Sequence, residues 1–513
     1  MNEILVRRER RSRRVLFNLA CSIAEHTVSG AMALFLTPFL VKKIGIELYG
    51  LYPIVLEIAS VFGIIFGIVN STSGRYIAIE KEQGNNENAS KYFSAVFFSN
   101  AVLSAVMLVP MSLAVAFADQ FFEIPAESLW EVRIFSVLVF ASVIIDALAS
   151  VFGSVYFVTN RLDIRSGQQL AVAGVKAALL TTLLLVFDAS LISVGIAILV
   201  SGLVGSAIQI IVSEKLIPTV AFSFFGFSLS HAKRVAASGL WYSVNRVSSV
   251  MMGGAMMIIA NMFFLPSVSG VYSVAYVVVN ALSGVVMMLA AVFVPISAKY
   301  FARGEKKRFR DSLVRDEKII GCFASVAISS CIGFCDDFFS LWLGEVPDRL
   351  LISLTVTLLI PILSVACAAP IINVAMVMNR TKKLSLLFLT GGMLTLAAAL
   401  WVMFFTNVGI WGVAAVSCLA QTLWYSVAVP VFAGRALGCS PKYFLIPVLK
   451  TYVGAGVSLV FCLAFGAMCD IKMWIELFIV VAAAMIGCAT ISFFVIFKKF
   501  RGFGKDRIKI YKM

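Results

Sequence analysis

The sequence predicts an all-α membrane protein that crosses the bilayer about fourteen times. Hydrophobic residues make up 61% of its 513 residues and charged residues 13%, about half the charged share of soluble domains, which is roughly 25%. The apolar residues form runs of about 20, the length at which a helix spans the ~30 Å hydrocarbon layer. A third observation, an internal duplication, arranges the spans as two parallel six-helix repeats followed by two C-terminal helices.

The predicted spans follow one another with short connections. They are centred near residues 28, 60, 105, 145, 178, 203, 250, 283, 328, 363, 396, 421, 456 and 486. The longest external connections, 118–131 and 336–349, hold about fourteen residues each, which is too short for a soluble domain. The first span, 15–41, follows basic residues as a signal peptide does, but it is longer than a typical signal-peptide core, and this length predicts an uncleaved helix.

The duplication relates residues 15–220 to the chain about 219 residues later. The repeated residues are Ser29 and Ser249, Gly50 and Gly270, Tyr52 and Tyr272, Asn160-Arg161 and Asn379-Arg380, and Ser166 and Ser385. Because each copy has an even number of spans, both copies enter the membrane in the same orientation, as in transporters with parallel repeats. The predicted segments are a basic N-terminus (1–14), two bundles (15–220 and 221–440), two additional spans (441–497) and a basic tail (498–513).

The net charge of +15 is distributed unevenly across the predicted topology. With the N-terminus inside, the cytoplasmic segments hold 34 lysines and arginines and the external loops four. This bias predicts that both termini are cytoplasmic. The basic runs 7–14 and 299–310 are then topology determinants and contacts to anionic lipids, and no nucleic-acid partner is predicted.

The cysteines and the apolar residues at bends suggest packing and local geometry. Nine of the ten cysteines follow residue 320 and none forms a CxxC pair, which favours packing over a disulfide or metal framework. Neither a metal, a cofactor nor a catalytic residue is predicted. Glycines in the external turn 44–52 are expected to let the first two helices reverse direction closely. Kinks or close helix contacts are expected at Pro38, Pro110, Pro295, Pro361, Pro370 and Gly391-Gly392.

Several charged residues lie inside predicted spans, where each costs at least about 2.5–3.5 kcal/mol and therefore usually faces a cavity or a partner. Glu25 and His26 lie nine and ten residues into the first span. A 220-residue offset pairs them with Asn245 and Arg246 in the seventh span. The duplication therefore predicts that the two halves present these pairs to each other across a central axis.

Three further charges are Glu57, Asp146 and Lys176. Four of these residues also have a simpler explanation: Lys176 could extend to the headgroups, Glu57 could pair for packing, His26 could be a neutral buried histidine and Glu25 could neutralise Arg246. The candidate substrate-binding residues are Arg246, His26, Asn245 and Lys176, and the candidates for ion coupling are Glu25, Glu57 and Asp146. Such a cavity suits a substrate with an anionic head and a polar body, and it equally suits a proton or sodium relay.

Several short stretches resemble one known family. Residues 44–52, IGIELYGLY, resemble the LGxxxYGLY turn of the Wzx-like polysaccharide flippases in the multidrug/oligosaccharidyl-lipid/polysaccharide (MOP) exporter superfamily. Similar stretches occur at 75–78, 295–300, 378–383 and 409–414. The resemblance covers nearly the whole chain, including the two extra C-terminal spans.

The resemblance implies two six-helix bundles that form a V around a cavity open alternately to either side. The implied cargo is an undecaprenyl-pyrophosphate-linked oligosaccharide, moved to the outer leaflet of a bacterial inner membrane, with a glycan polymerase and chain-length machinery as partners. Arg246 and protonated His26 would hold the pyrophosphate. The few cavity cations differ from the arginine-rich cavity of lipid II flippases, which favours an O-antigen or capsule-type unit over a peptidoglycan precursor.

Two other functions remain open from the sequence. A MATE-like drug/cation antiporter of the same superfamily would use Glu25, although Arg246 would repel a cationic drug. A membrane-embedded polysaccharide polymerase or glycosyltransferase needs a catalytic loop or an acidic metal site. The acidic cluster Asp336-Asp337 with Glu345 and Asp348, in a short outer loop, is explained better as a solvated helix end.

Overall fold

The computed structural model describes residues 2–187, 190–219, 227–344, 347–378 and 381–497, without the side chains of 2–16, 19, 374, 376 and 377. Within these ranges the regular elements are all helical. Twelve helices are long and apolar enough to span a membrane, and two bent helix pairs bring the number to fourteen. The predicted fold class is therefore confirmed. The side chains of the basic run 7–14, Glu345, Asn379-Arg380 and the tail 498–513 lie outside the described residues.

Seven α-helices are described in the first half of the chain. They are α1 (Asn2–Ile44), α2 (Ile46–Glu82), α3 (Asn86–Ala116), the short α4 (Ala118–Phe121), α5 (Leu129–Val158), α6 (Leu162–Val186) and α7 (Leu191–Leu216). Gly45 separates α1 from α2 with a φ of 83°, a conformation that glycine adopts readily. Asn85 and Ser190 cap α3 and α7, because each side chain accepts a hydrogen bond from a backbone N–H in the first turn.

Nine α-helices are described in the second half, and a further pair follows at the C-terminus. They are α8 (Leu229–Met252), α9 (Gly254–Phe263), α10 (Pro266–Ala302), α11 (Lys306–Gly333), α12 (Cys335–Leu343), α13 (Arg349–Val377), α14 (Thr381–Phe405), α15 (Ile410–Leu423), α16 (Val429–Leu437), α17 (Lys442–Gly466) and α18 (Trp474–Phe497). A π-helical turn, Trp424–Ala428, joins α15 to α16. Helices α8 and α9 are bent by 42° and α11 and α12 by 64°, and the two helices of each pair are together long and apolar enough for one broken span.

The helices of the two halves pack in the same pattern. In the first half α2 packs on α3 and α5, α7 packs on α5 and α6, and α6 packs on α1. The second half repeats these contacts with α10 on α11 and α13, α15 on α13 and α14, and α14 on α8. The repeated serines also bond equivalently, since Ser166 contacts Ser22 of α1 and Ser385 donates to the carbonyl of Trp241 in α8. This pattern is the one that a duplication predicts, while the boundaries at 220 and 440 stay predictions.

The halves meet mainly through α2, which packs against both α8 and α10. Near one end, Gly50 and Gly270 face each other so closely that a Cβ on Gly50 would lie 2.7 Å from the Gly270 Cα. Their small size therefore permits contact between the halves, and the reversal from α1 to α2 rests on Gly45 instead. The additional helices α17 and α18 pack on each other and on α11.

The spans break at positions other than the expected prolines. Pro38, Pro110 and Pro295 lie inside continuous helices, and so do both prolines of α13. Proline is tolerated in membrane helices where neighbouring groups satisfy the freed backbone. The two breaks lie instead at Gly253 and Phe334. Gly391-Gly392 serve close packing, because α14 approaches α8 at Met251 and Met252 there.

Candidate functional site

The break between α8 and α9 brings three helices of the two halves together. Gly253 ends α8 and Gly254 begins α9. The Glu57 carboxylate of α2 lies against the Gly254 backbone, so closely that any side chain at 254 would overlap it. A Cβ on Gly253 would lie 3.4 Å from the hydroxyl oxygen of Tyr276 in α10, which is an ordinary contact. The broken helix therefore leaves room for an acidic side chain of the other half.

Arg246 and Glu57 interact electrostatically at this junction. Tyr276 lies in the field of both charges, and its hydroxyl is hydrogen-bonded to the side chain of Asn280. Arg246 is 17 residues from each end of the α8–α9 span, Leu229 and Phe263. Its side chain is exposed whereas Glu57 is half-buried. Because a guanidinium stays charged, an exposed arginine in mid-span needs water or an anion beside it. The arrangement suits the wall of a hydrated cavity between the halves.

Glu25 and His26 form a separate pair on α1. The His26 Nδ1 lies 2.9 Å from a carboxylate oxygen of Glu25, with the side chains 57% and 13% exposed respectively. Among the described residues, α1 and α8 share no extended packing. In the described ranges of the chain no hydrogen bond or ion pair joins Glu25 or His26 to Arg246 or Asn245. The two pairs therefore make no direct contact here, and their position on opposite sides of one shared cavity stays a prediction.

Asp146 and Lys176 lie apart from this junction. Asp146 is an exposed residue of α5 and Lys176 a half-buried residue of α6. Next to Asp146, the carbonyl of Ala147 accepts a hydrogen bond from the buried Asn100 amide, which also donates to the Asn70 side-chain oxygen at 2.9 Å. A polar network thus lies close to Asp146 within the first half. The structure brings Glu57 together with Arg246 and pairs Glu25 with His26 on α1, whereas Asp146 and Lys176 lie on two further helices.

Several polar residues of the site and its surroundings are not among the candidates that the sequence suggests. Tyr276 and Asn280 at the junction carry no charge, and their signal would have been a polar pair one turn apart in an apolar span. Asp316 and Glu317 lie near the basic run 299–310 in the sequence, but both are fully buried in α11. Asp316 accepts a hydrogen bond from Ser297 and pairs with Arg315. The helix starts at Lys306, which is why these carboxylates are packed among neighbouring helices instead of lying in a loop.

Among the residues that the structure describes, no three histidine, cysteine, aspartate or glutamate side chains are grouped so that they could hold a metal ion. The acidic residues Asp336 and Asp337 lie in the first turn of α12. Negative side chains are favourable at a helix N-terminus, because the backbone N–H groups there carry partial positive charge. The helix position therefore explains these two residues.

Comparisons with known proteins agree with this fold. The family described as polysaccharide biosynthesis protein matches residues 15–301, more than half of the chain. An uncharacterized membrane protein, EpsK of Bacillus subtilis (strain 168), is 21% identical over 457 residues, which is 89% of this chain and 90% of the relative.

Two solved structures have similar folds at low sequence identity. An inward-facing multidrug resistance MATE family transporter of the MOP superfamily has a TM-score of 0.68 at 13% identity, covering 80% of this chain and 94% of that one. The lipid II flippase MurJ in an inward closed conformation has a TM-score of 0.67 at 14% identity, covering 94% and 100%. The family match and the shared architecture lead to one conclusion: this chain belongs to the polysaccharide biosynthesis protein family and has the fold of the MOP superfamily.

Proposed function

We propose that the protein is a flippase for an undecaprenyl-pyrophosphate-linked oligosaccharide, of the O-antigen or capsule type, which it moves from the cytoplasmic to the outer leaflet by alternating access. The observation that carries the proposal is the exposed Arg246 in mid-span at the junction of the halves. A guanidinium binds phosphate oxygens with two parallel hydrogen bonds, so Arg246 can anchor the pyrophosphate. Glu57 then balances the cation when the cavity is empty.

The contacts between the halves support a lateral route for the lipid. By the duplication, the contact of α2 with α8 corresponds to the contact of α1 with α10. The first is extensive, and its hydrogen bonds include Thr72 to the carbonyl of Val235 and Ser243 to the carbonyl of Ile64. The second is smaller, and among the described side chains of α1 the apolar core includes those from Leu34 onwards. A polyprenyl tail could therefore stay in the bilayer beside α1 while the polar head occupies the cavity.

The anchor is tested by replacing Arg246. In a strain that depends on this protein for surface glycan, Arg246→Ala should lower glycan display roughly 10- to 100-fold, since a charge-assisted hydrogen bond contributes about 1.5–3 kcal/mol. Arg246→Lys should retain some of the activity because the charge stays and the two-bond geometry is lost. Arg303→Ala, in an exposed turn, is the control. Normal display by membrane-inserted Arg246→Ala would refute the anchor.

The same variants distinguish the drug/cation antiporter. If the protein is an antiporter, removing the Arg246 charge, which repels cations, should raise the export of a cationic dye. If it is a flippase, the variants should only lose glycan display. The flipped unit would pass to a glycan polymerase and chain-length machinery, so accumulation of lipid-linked units on the cytoplasmic side is the expected defect. The protein itself needs no catalytic group in this scheme.

The carboxylates Glu25, Glu57 and Asp146 are the proposed coupling groups, and Lys176 a further contact for the head of the substrate. An ion drives transport only if it binds the two orientations of the cavity with different affinity. Transport of lipid-linked oligosaccharide into proteoliposomes would be measured under pH or sodium gradients for Glu25→Gln, Glu57→Gln and Asp146→Asn. The variant that lacks the coupling carboxylate should still bind substrate, but its transport should no longer depend on the gradient. Unchanged dependence in all three would leave these residues with structural roles.

The proposed location is the bacterial inner membrane with both termini in the cytoplasm, as the distribution of basic residues favours. Single cysteines introduced into a cysteine-free protein would be labelled in intact cells with an impermeant reagent. Cysteines at Asn86 and Glu305 should be protected, whereas one at Met468, in the exposed turn after α17, should react. Labelling at 305 without labelling at 468 would invert the topology.

A further inference from the structure

A groove of about 720 Å³ lies between α14 and the span formed by α15, the π-helical turn and α16. Its walls are apolar side chains, with Lys383 and Arg435 as the charged lining residues. Trp424 contributes to the wall, because its Nε1–H donates to the Leu387 carbonyl at 3.1 Å and its ring packs over Gly391. The volume is within the range of roughly 300–1,000 Å³ for small-molecule sites.

The two cations lie at the same end of the groove. Lys383 is in the first turn of α14 and Arg435 in the last turn of α16, and both side chains are exposed. Among the described residues, no acidic side chain lines the groove. The adjacent Lys382 faces elsewhere, with its Nζ 5.1 Å from the ring centre of Trp241 on α8. The groove therefore combines an apolar wall along the span with a positive end, which the proposed topology puts at the cytoplasmic surface.

We propose that this groove binds an anionic glycerophospholipid of the cytoplasmic leaflet, with its phosphate on Lys383 and Arg435 and an acyl chain along the apolar wall. Basic pockets between membrane helices on the cytoplasmic side are suited to anionic headgroups. The wall residues Leu423 and Val427 are exposed apolar side chains on consecutive turns, and they continue the surface away from the charges. A bound lipid would fill the gap between two helices of the second half. This inference is independent of the proposed transport activity.

Native mass spectrometry of the purified full-length protein tests the headgroup contact. Phosphatidylglycerol and phosphatidylethanolamine would be titrated in separate detergent solutions, and the fraction of protein with one bound lipid measured. Phosphatidylglycerol should bind more tightly. The double variant Lys383→Ala/Arg435→Ala should weaken its binding roughly 30-fold, about fivefold for each basic residue near the surface. Lys382→Ala should leave the affinity unchanged. Equal affinity for both lipids, or an unaffected double variant, would overturn the proposal.

A second pair of variants tests the apolar wall. Leu419 and Leu423 lie one turn apart on α15 and are 61% and 60% exposed, but only Leu423 lines the groove. Leu423→Trp should fill the groove and lower the occupancy of phosphatidylglycerol at least about fivefold, whereas Leu419→Trp should not. Occupancy that falls equally in both would disprove binding at this groove. Undecaprenyl phosphate would also be added to the wild type at the same concentration as phosphatidylglycerol. If it displaces the phosphatidylglycerol, the ligand of the groove is the polyprenyl carrier and the phospholipid proposal is wrong.

Discussion

Gly253 and Gly254 are adjacent at the break of the seventh span, but their surroundings differ. A methyl group on Gly253 would meet the Tyr276 hydroxyl oxygen at an ordinary van der Waals distance. A methyl group on Gly254 would overlap the Glu57 carboxylate. The second glycine therefore fixes where the carboxylate can lie relative to Arg246, and the first only permits the change in helix direction.

The difference predicts unequal effects for two alanine substitutions. Gly254→Ala should displace Glu57, destabilise the protein by about 1–3 kcal/mol as overpacking does, and lower transport. Gly253→Ala should change stability by less than about 1 kcal/mol, because its methyl group would make only an ordinary contact with the Tyr276 hydroxyl. Thermal unfolding of the purified variants would measure both. Adding Glu57→Ala to Gly254→Ala should restore stability without transport, and a double variant as unstable as Gly254→Ala would exclude the overlap as the cause.

The sequence identified the charges of this site but not their arrangement. The cost of burying charge in a membrane singled out Glu57 and Arg246, and the duplication paired Arg246 with His26. A duplication relates equivalent positions, yet it does not determine which helices meet across the interface. In the structure α2 packs on α8. The partner of Arg246 is therefore a residue of α2, and uncharged Tyr276 gave no signal of its own.

At the level of the helices, hydropathy predicted all fourteen spans, whereas it did not predict their irregularities. Length and apolarity suffice for a span, because the backbone in lipid has to satisfy its hydrogen bonds within a helix. The 42° bend at Gly253, the 64° bend before Cys335 and the π-helical turn at Trp424 depend on neighbouring helices. A π-helical turn often marks a functional position in a helix. Here it borders the lipid groove, since Trp424 bonds across to α14.

Across the whole molecule, the two contacts that the duplication makes equivalent are unequal. Helix α2 contacts α8 over residues 64–76. In α1, by contrast, Asn18 and Ser22 form hydrogen bonds to α6 and the turn before it. A symmetric pair of bundles would make both contacts alike. The inequality means that the two halves are tilted towards each other on one side. Alternating access requires that such contacts between halves open and close, while contacts within each half persist.

Two engineered disulfides can distinguish contacts between the halves from contacts within one half. A Cβ on Gly67 of α2 would lie 3.4 Å from the Ser243 Oγ of α8, so Gly67→Cys with Ser243→Cys can form a disulfide between the halves. The Oγ atoms of Ser22 and Ser166 are 3.4 Å apart within the first half, and the same substitutions there provide a matched control. Both pairs would be made in a protein whose ten native cysteines are replaced.

Oxidation of the 67–243 pair should stop transport of the lipid-linked oligosaccharide in proteoliposomes, because it prevents separation of α2 from α8, and reduction should restore it. Oxidation of the 22–166 pair should leave at least about half of the activity, since the first half moves as one packed unit and interiors transmit displacement with little compression. Mass shifts after digestion would measure the extent of crosslinking. Full transport by a completely crosslinked 67–243 protein would show that α2 and α8 stay together throughout the cycle, and the opening of the cavity would then have to occur between α1 and α10.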